Sequence, residues 1–230
     1  MRTCVIIPTL NEAISIPGLL KRIHEHKLDL EVVVIDDGST DNTHHIAKEH
    51  GATVIRNQVN LGKGASLLKG FSYALERDFE AVITMDGDGQ HSPADIPYFI
   101  RLAKHSDSAI LVGNRMKRSH KMPQLRRATN KFMSWIISIV VGQRIPDTQC
   151  GFRLIKIHVL KNINLRTKKY EIESEMLIRG SRKGYKIESV EIETIYEGTK
   201  SQIHPFKDTL RFLRFIIAEI WRSDDPGIYR

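Results

Sequence analysis

Short apolar runs rich in β-branched residues alternate with helical spacing of apolar positions through the first half of this chain. The runs predict five buried strands, at residues 4–7, 31–35, 52–55, 81–85 and 109–112. The spacing between them predicts four helices, at residues 14–26, 41–50, 63–76 and 93–104. Asp41 stands where the second helix begins and is its predicted N-cap. This alternation indicates an α/β fold with a mainly parallel sheet covered by helices on both faces.

The second half of the chain is less regular. A basic stretch, 115–131, leads into the most apolar run, 132–141. That run has about ten residues, whereas a helix that spans a bilayer needs roughly 20, so we expect no transmembrane segment. The remaining predicted elements are a helix near 171–183, a strand near 186–195 and an amphipathic helix at 206–221.

The predicted C-terminal helix carries apolar residues along one face. This face consists of Phe206, Leu210, Leu213, Ile217, Ile220 and Trp221, with Arg211, Arg214 and Arg222 nearby. Such a helix can lie in the headgroup region of a membrane, or the same stripe can pack against the rest of the protein. The pattern leaves both alternatives open.

Polar residues gather directly after three of the predicted strands. The clusters are residues 8–12, 36–41 and 86–91. The carboxyl ends of parallel strands meet at one edge of a sheet, and ligands of such sheets bind there. Carboxylates at these ends, such as Asp36 and Asp37, can accept hydrogen bonds from a nucleotide base or ribose. Lys63 and Lys69, near the start of a predicted helix, can attract a phosphate.

The third cluster has the sharpest local pattern. Asp86 and Asp88 are separated by one glycine and followed by another, so both carboxylates can turn toward one point. Hard divalent cations take one or two carboxylates as ligands and complete their shell with substrate phosphates. The alternative is a polar turn that caps the following helix.

The net charge narrows the choice of partner. The 230 residues carry a formal charge of +8, which favours nucleic acid, acidic lipid or a phosphorylated metabolite. Seven Lys and Arg residues, and no Asp or Glu, lie between Arg115 and Lys131. This run is either a solvated basic face or, because the apolar run 132–141 follows it, a site for a phosphate headgroup with an isoprenoid tail. The sequence contains no recognised nucleic-acid module, so we expect no nucleic-acid partner.

The cysteines and the N-terminus bear on the compartment. Cys4 and Cys150 make no disulfide framework, which suits a reducing environment. The first residues run straight into a buried strand, so we expect no signal peptide. We therefore expect a cytoplasmic protein, which the amphipathic helix at 206–221 would allow to associate peripherally with the inner face of a membrane.

Eight segments carry a resemblance to a known family. They are residues 7–12, 34–41, 60–64, 85–93, 113–115 and 147–153, with weaker matches at 170–176 and 200–201. Together they resemble the family 2 glycosyltransferases with the GT-A fold, and most closely the polyprenyl-phosphate (dolichol-phosphate) mannosyltransferase-like branch. The resemblance covers about residues 3–215 and implies a GT-A domain at 1–205, with a nucleotide-binding half at 1–114 and an acceptor half at 115–205. An amphipathic helix and tail would occupy 206–230.

The resemblance implies an inverting, Mg²⁺- or Mn²⁺-dependent transfer of a sugar from a GDP- or UDP-sugar to a polyprenyl phosphate. The residues implied in donor binding are Pro8, Thr9, Glu12, Asp36, Asp37, Lys63 and Lys200. Those implied in metal binding are Asp86, Asp88 and Gln90, and those implied in gripping the acceptor phosphate are Arg115, Arg126 and Asn130. The motif reads Thr9-Leu10 where other members carry other residues, which leaves the preferred base open.

The acceptor decides which groups are catalytic. A phosphate monoester has a second pKa of about 6 and needs no base at neutral pH, whereas a hydroxyl acceptor needs one. Asp86, Asp88 and Arg115 are the candidate catalytic residues, with Asp147 as the candidate base or else a turn former after Pro146. The alternatives are transfer to a glycan hydroxyl, synthesis of the nucleotide sugar, and a basic protein that binds nucleic acid without catalysis.

Overall fold

The computed structural model describes residues 1–117, 122–195 and 205–221, with the side chains of 205–208 left out. The strands are β1 (Thr3–Thr9), β2 (Leu30–Asp36), β3 (Thr53–Arg56), β4 (Ala81–Thr84), β5 (Ile110–Asn114), β6 (Arg153–Lys156) and β7 (Ile187–Glu191). The helices are α1 (Ile16–Glu25), α2 (Thr43–Glu49), α3 (Lys63–Leu75), α4 (Ile96–His105), α5 (Gln124–Val141), α6 (Ile157–Asn162), α7 (Ile172–Arg182) and α8 (Pro205–Trp221). A single 3₁₀ turn, Pro93–Asp95, precedes α4.

Within these described ranges the strands form one seven-stranded sheet in the order β3-β2-β1-β4-β6-β5-β7. Strand β6 runs antiparallel to both of its neighbours, and the other pairs are parallel. The central strands are buried on both faces, since successive residues such as Ile6, Ile7, Val33 and Val34 are all 0% exposed. Successive side chains of a strand point to opposite faces, so helices must cover both of them. The predicted mainly parallel α/β sheet is therefore confirmed.

Two local predictions were wrong. The predicted elements leave residues 142–170 without a strand or a helix, but β6 and α6 lie there. Asp41 is not the N-cap of α2, because that position belongs to Asn42. The Asp41 carboxylate instead accepts hydrogen bonds from the backbone N–H groups of Thr43 and Ala13, at 3.1 Å each. It thereby ties the loop after β1 to the loop after β2.

Helix α8 packs on the protein through a stripe that the sequence did not single out. Phe212 and Ile216 are buried, and Glu219 is 1% exposed where it meets Arg179 and Arg182 of α7. The predicted stripe faces largely outward. Its exposed members are Leu210, Ile217, Ile220 and Trp221, while Leu213 is partly buried and the side chain of Phe206 lies outside the described set.

One side of α8 therefore packs against the protein, and the other side exposes apolar residues. Among the described residues, no helix combines the length and the apolar character needed to cross a bilayer.

Candidate functional site

Two cavities lie at the carboxyl edge of the sheet. The first, here called the acidic cavity, measures about 580 Å³ and is bordered by the segments that follow β1, β2 and β4. Its lining includes Pro8, Thr9, Glu12, Asp37, Lys63, Asp86, Asp88 and Gln90. Three polar clusters that are far apart in sequence therefore meet at one edge, because parallel strands place their carboxyl ends together.

The second, here called the apolar cavity, measures about 300 Å³ and lies between α5, the start of α7 and α8. Its apolar walls are Pro123, Leu125, Met133 and Phe212. Its polar lining includes Arg115, Arg126, Asn130, Gln149, Glu171 and Glu173. All three residues that the resemblance implied in acceptor binding therefore line this cavity, and their role there stays a prediction.

Five residues line both cavities, and we call them the junction. They are Lys63, Asp86, Arg126, Tyr170 and Arg211. Three of the five are cations and one is a carboxylate, so the excess positive charge favours an anion at the point where the cavities meet. Lys63, Asp86 and Arg126 were predicted site residues, whereas Tyr170 and Arg211 had no predicted role in the site.

Asp86 and Asp88 differ in their electrostatic surroundings. Burial would raise the pKa of Asp86, but the Lys63 ammonium, 2.5 Å from its Oδ1, holds that pKa below the usual range. The pKa of Asp88 is raised, first by burial and then by the charge of Asp86, although its Oδ1 accepts a hydrogen bond from Gln90 N–H at 3.0 Å. The loop therefore holds a carboxylate whose negative charge is poorly compensated.

This arrangement fits a divalent cation. Within the described residues no group of three or more His, Cys, Asp and Glu side chains is placed to hold a metal ion by itself. Mg²⁺ and Mn²⁺ need no such cage, since one or two carboxylates suffice when substrate phosphates supply the other ligands. Asp86, Asp88 and the Gln90 amide offer oxygen donors on one cavity wall.

Lys63 and Glu173 join the two halves of the site. The Lys63 ammonium lies 2.5 Å from Asp86 Oδ1 and 2.7 Å from Glu173 Oε1. These two carboxylates raise the pKa of Lys63 against the opposing effect of its burial, so it remains charged. Glu173 was missed because it stands in an acidic run, 171–175, whose pattern does not show which carboxylate turns inward.

The two aspartates at the end of β2, Asp36 and Asp37, hold the loops beside the acidic cavity. Asp37 Oδ1 accepts from Leu61 N–H at 2.9 Å, and Oδ2 accepts from Gly62 N–H at 2.8 Å. Asp36 is fully buried, with Oδ1 accepting from Ser39 N–H and Oδ2 lying 3.1 Å from Arg56 Nε. The structure thus shows Asp37 shaping the loop that leads into α3 and Asp36 behind it, while their part in holding a base stays a prediction.

Both carboxylate oxygens of Asp147 bind the guanidinium of Arg115. Its two oxygens accept from Arg115 Nε at 2.7 Å and from the guanidinium's outer nitrogen at 3.0 Å. Asp147 is 0% exposed, and although burial raises the pKa of its carboxyl, Arg115 brings that pKa below the ordinary value. This geometry favours a role in positioning Arg115 over the predicted role of a base. Lys200 lies outside the described residues.

Arg126 has an unfilled hydrogen-bonding position. Its Nε is buried and has no acceptor in the part of the chain that the structure describes. A buried donor without a partner costs about 1–3 kcal/mol, so such a group marks a place for a ligand.

Gly151 sets the position of Asp86. A Cβ at residue 151 would lie 2.6 Å from Asp86 Oδ2, closer than side chains approach. We expect Gly151→Ala to displace that carboxylate and to lower the affinity for donor and metal about 10–100-fold, as when a group that orients a metal ligand is lost. Isothermal titration with nucleoside diphosphate and Mn²⁺ measures this.

Gly18→Ala is the matched control, because a Cβ there meets nothing within 4 Å and alanine favours the helix α1. Donor affinity that is equal in the two variants would contradict the role given to Gly151.

Comparisons with known proteins agree with this fold. The family model described as glycosyl transferase family 2 matches residues 4–163. The chain belongs to this family and is a glycosyltransferase with the GT-A fold.

Its relatives include the UDP-N-acetylglucosamine–dolichyl-phosphate N-acetylglucosaminyltransferase of Methanococcus voltae, at 31% identity over 84% of this chain and 85% of the relative. The undecaprenyl-phosphate mannosyltransferase of Micrococcus luteus is 30% identical over 84% of this chain and 83% of that protein. Among solved structures, glucosyl-3-phosphoglycerate synthase of Mycobacterium tuberculosis in complex with Mn²⁺, uridine diphosphate and phosphoglyceric acid has a TM-score of 0.72 at 17% identity. That match covers 97% of this chain and 80% of the other.

Proposed function

We propose that this glycosyltransferase moves a sugar from a nucleotide-diphosphate donor to a polyprenyl phosphate, with the help of a divalent cation. The observation that carries the proposal is the junction, where a carboxylate-lined cavity and an apolar cavity meet at Lys63, Arg126 and Arg211. Two phosphorylated substrates that react with each other must bring their anionic ends together. A cationic meeting point between a polar and an apolar cavity suits that requirement.

The acidic cavity suits the donor. The complex of the Mycobacterium tuberculosis enzyme with Mn²⁺ and uridine diphosphate, together with the relatives' names, supports a nucleotide donor and a metal. Asp86, Asp88 and Gln90 would hold the ion, which offsets the charge on a departing diphosphate when bound. Lys63 adds a fixed positive charge beside the same phosphates.

The apolar cavity suits an isoprenoid phosphate. Arg126 Nε is a buried donor that lacks an acceptor among the described residues, and apolar side chains continue the wall beyond it. The carboxylates that line this cavity are all paired with cations. They are Asp86 and Glu173, paired with Lys63, and Glu171, paired with Arg211. A paired carboxylate is a poor base, which favours a phosphate acceptor over a glycan hydroxyl.

The reaction needs no proton transfer when the acceptor phosphate is dianionic. One acceptor oxygen forms a bond to the anomeric carbon while the bond from that carbon to the donor diphosphate breaks. The nucleoside diphosphate leaves with the electron pair. Attack from the face opposite the leaving group inverts the anomeric centre.

Transfer assays test the proposed function. The full chain is incubated with Mn²⁺, labelled UDP- or GDP-sugars and either undecaprenyl phosphate or a free oligosaccharide. We expect label in a butanol-extractable product that mild acid releases, and no transfer in EDTA. Label that enters only the oligosaccharide would favour the glycan-hydroxyl alternative instead. Transfer that persists in EDTA would overturn the metal requirement.

The acceptor also implies a membrane surface. Helix α5 leaves Phe132, Trp135 and Ile139 exposed at helical spacing, and the adjacent α8 exposes Ile217 and Trp221. Exposed aromatic stripes on a chain with a net charge of +8 suit peripheral binding to anionic lipid.

We expect the double variant Phe132→Ser/Trp135→Ser to bind phosphatidylglycerol-containing vesicles roughly tenfold or more weakly, because it loses apolar area available for insertion. Vesicle sedimentation measures this. Tyr98→Ser is the control, since Tyr98 is also 45% exposed but lies on α4. Equal loss in both variants would mean that α5 is not the docking helix.

A further inference from the structure

Arg211 lies on α8, whereas Arg126 lies on α5, yet both line the junction of the two cavities. We propose that Arg211 binds the acceptor phosphate together with Arg126, so that α8 supplies part of the acceptor site. This inference rests on the proposed function and assigns a second phosphate-binding residue to it. The amphipathic pattern of α8 placed Arg211 beside its apolar face but assigned it no ligand, and the family motifs do not include it.

Residues other than Arg211 also attach α8 to the protein. The helix is anchored by Phe212 and Ile216, which are 3% and 4% exposed, and by the pairing of Glu219 with Arg179 and Arg182. Arg211 stands beside this anchor and its side chain remains 39% exposed. Arg211 therefore lies at the cavity wall on a helix that other residues also hold in place. In this position it can bind an anionic ligand.

Glu171 orients Arg211 through one nitrogen of its guanidinium. The Arg211 guanidinium is paired through Nε with Glu171, which also lines the apolar cavity. A guanidinium carries five N–H donors in a fixed plane, more than one carboxylate engages. Arginines on two different helices can then contact one phosphate from two directions, each through charge-assisted hydrogen bonds.

The position of α8 points to the acceptor rather than the donor. Thr209, Arg211 and Phe212 all line the apolar cavity, and of these only Arg211 reaches the acidic cavity as well. An isoprenoid tail beside Phe212 would place its phosphate next to Arg211. The same helix exposes apolar residues to the outside, so the surface proposed to meet the membrane and the proposed phosphate ligand belong to one rigid element.

The test compares Arg211→Gln with Arg214→Gln on the full chain. Arg214 is an exposed residue of the same helix, outside both cavities, so the control removes the same charge from the same helix. Isothermal titration with geranyl phosphate gives the dissociation constant, and transfer kinetics give the KM of each substrate. We expect Arg211→Gln to weaken geranyl phosphate binding roughly 10- to 100-fold, as for loss of hydrogen bonds to a charged group, with donor KM unchanged.

A second variant separates binding from a structural role. If Arg211 served only to hold Glu171, Glu171→Gln would weaken geranyl phosphate binding as much as Arg211→Gln does. We expect Glu171→Gln to bind at least as tightly as the wild type, because it removes a charge that repels phosphate.

Equal weakening in Arg211→Gln and Glu171→Gln would overturn the inference, and so would three other outcomes. Geranyl phosphate binding that is unchanged in Arg211→Gln, or a rise in donor KM alone, would overturn it and leave the proposed function standing. A wild type that neither binds geranyl phosphate nor transfers sugar to undecaprenyl phosphate would overturn both.

Discussion

Replacing Asp88 by asparagine should lower sugar transfer about 100-fold or more while leaving the ligand-free protein at least as stable as the wild type. The activity falls because a neutral amide is a poorer ligand than a carboxylate for a divalent cation. The stability holds because the pKa of Asp88 is raised by burial and by Asp86, so its charge opposes folding. Steady-state kinetics with saturating donor and a thermal melt in EDTA check the two parts.

Asp86→Asn provides the contrasting control. Asp86 is paired with Lys63, and its pKa is held low by that contact, so its charge stabilises the fold. Both variants should lose activity, but only Asp86→Asn should melt earlier than the wild type. Nucleoside diphosphate with Mn²⁺ should raise the melting temperature of the wild type and of neither variant. If Asp88→Asn keeps the metal-dependent rise, Asp88 does not bind the cation.

The sequence predicted the parts of the fold that repeat a simple pattern. Strands β1, β2 and β4 are continuous apolar runs buried on both faces, and their carboxyl ends were correctly expected to meet. Strand β6 was not predicted because Arg153 and Lys156 flank only two apolar residues. Its fully buried arginine is satisfied by the carbonyl oxygens of Thr148, Cys150 and Glu173, which no local pattern reveals.

The candidate site was predictable to the extent that it follows strand ends. Asp86 and Asp88 were found because they come directly after β4, and the structure places them in one cavity with Asp37. Partners that depend on tertiary packing were not predictable. Tyr170 and Arg211 come from elements far along the chain, and their arrival at the junction depends on how α7 and α8 dock. Helical periodicity shows that a face is apolar but not which neighbour covers it.

Replacing Asp147 by asparagine should cost about 3–5 kcal/mol of stability, because it removes the carboxylate that pairs with the buried guanidinium of Arg115. The effect should depend on pH. Since the pKa of Asp147 is lower in the folded protein, its stabilisation is complete above the unfolded value of about 3.9 and is lost as the pH falls through the folded value. Urea unfolding at about pH 7 and about pH 3 should show the gap between wild type and variant shrinking in acid.

The kinetics of Asp147→Asn also distinguish a phosphate acceptor from a hydroxyl acceptor. If Asp147 acts only by positioning Arg115, Asp147→Asn should lower kcat/KM when Arg115 is present. In an Arg115→Met background the same substitution should cause little further loss of kcat/KM, because the positioned group is already absent. If Asp147 were a general base, its replacement would instead lower kcat by about 100-fold or more in both backgrounds. The bidentate contact, with both Asp147 oxygens turned to one guanidinium and none to a cavity, favours the first result. Equal losses in the two backgrounds would require a proton acceptor, and with it a hydroxyl substrate in place of a phosphate.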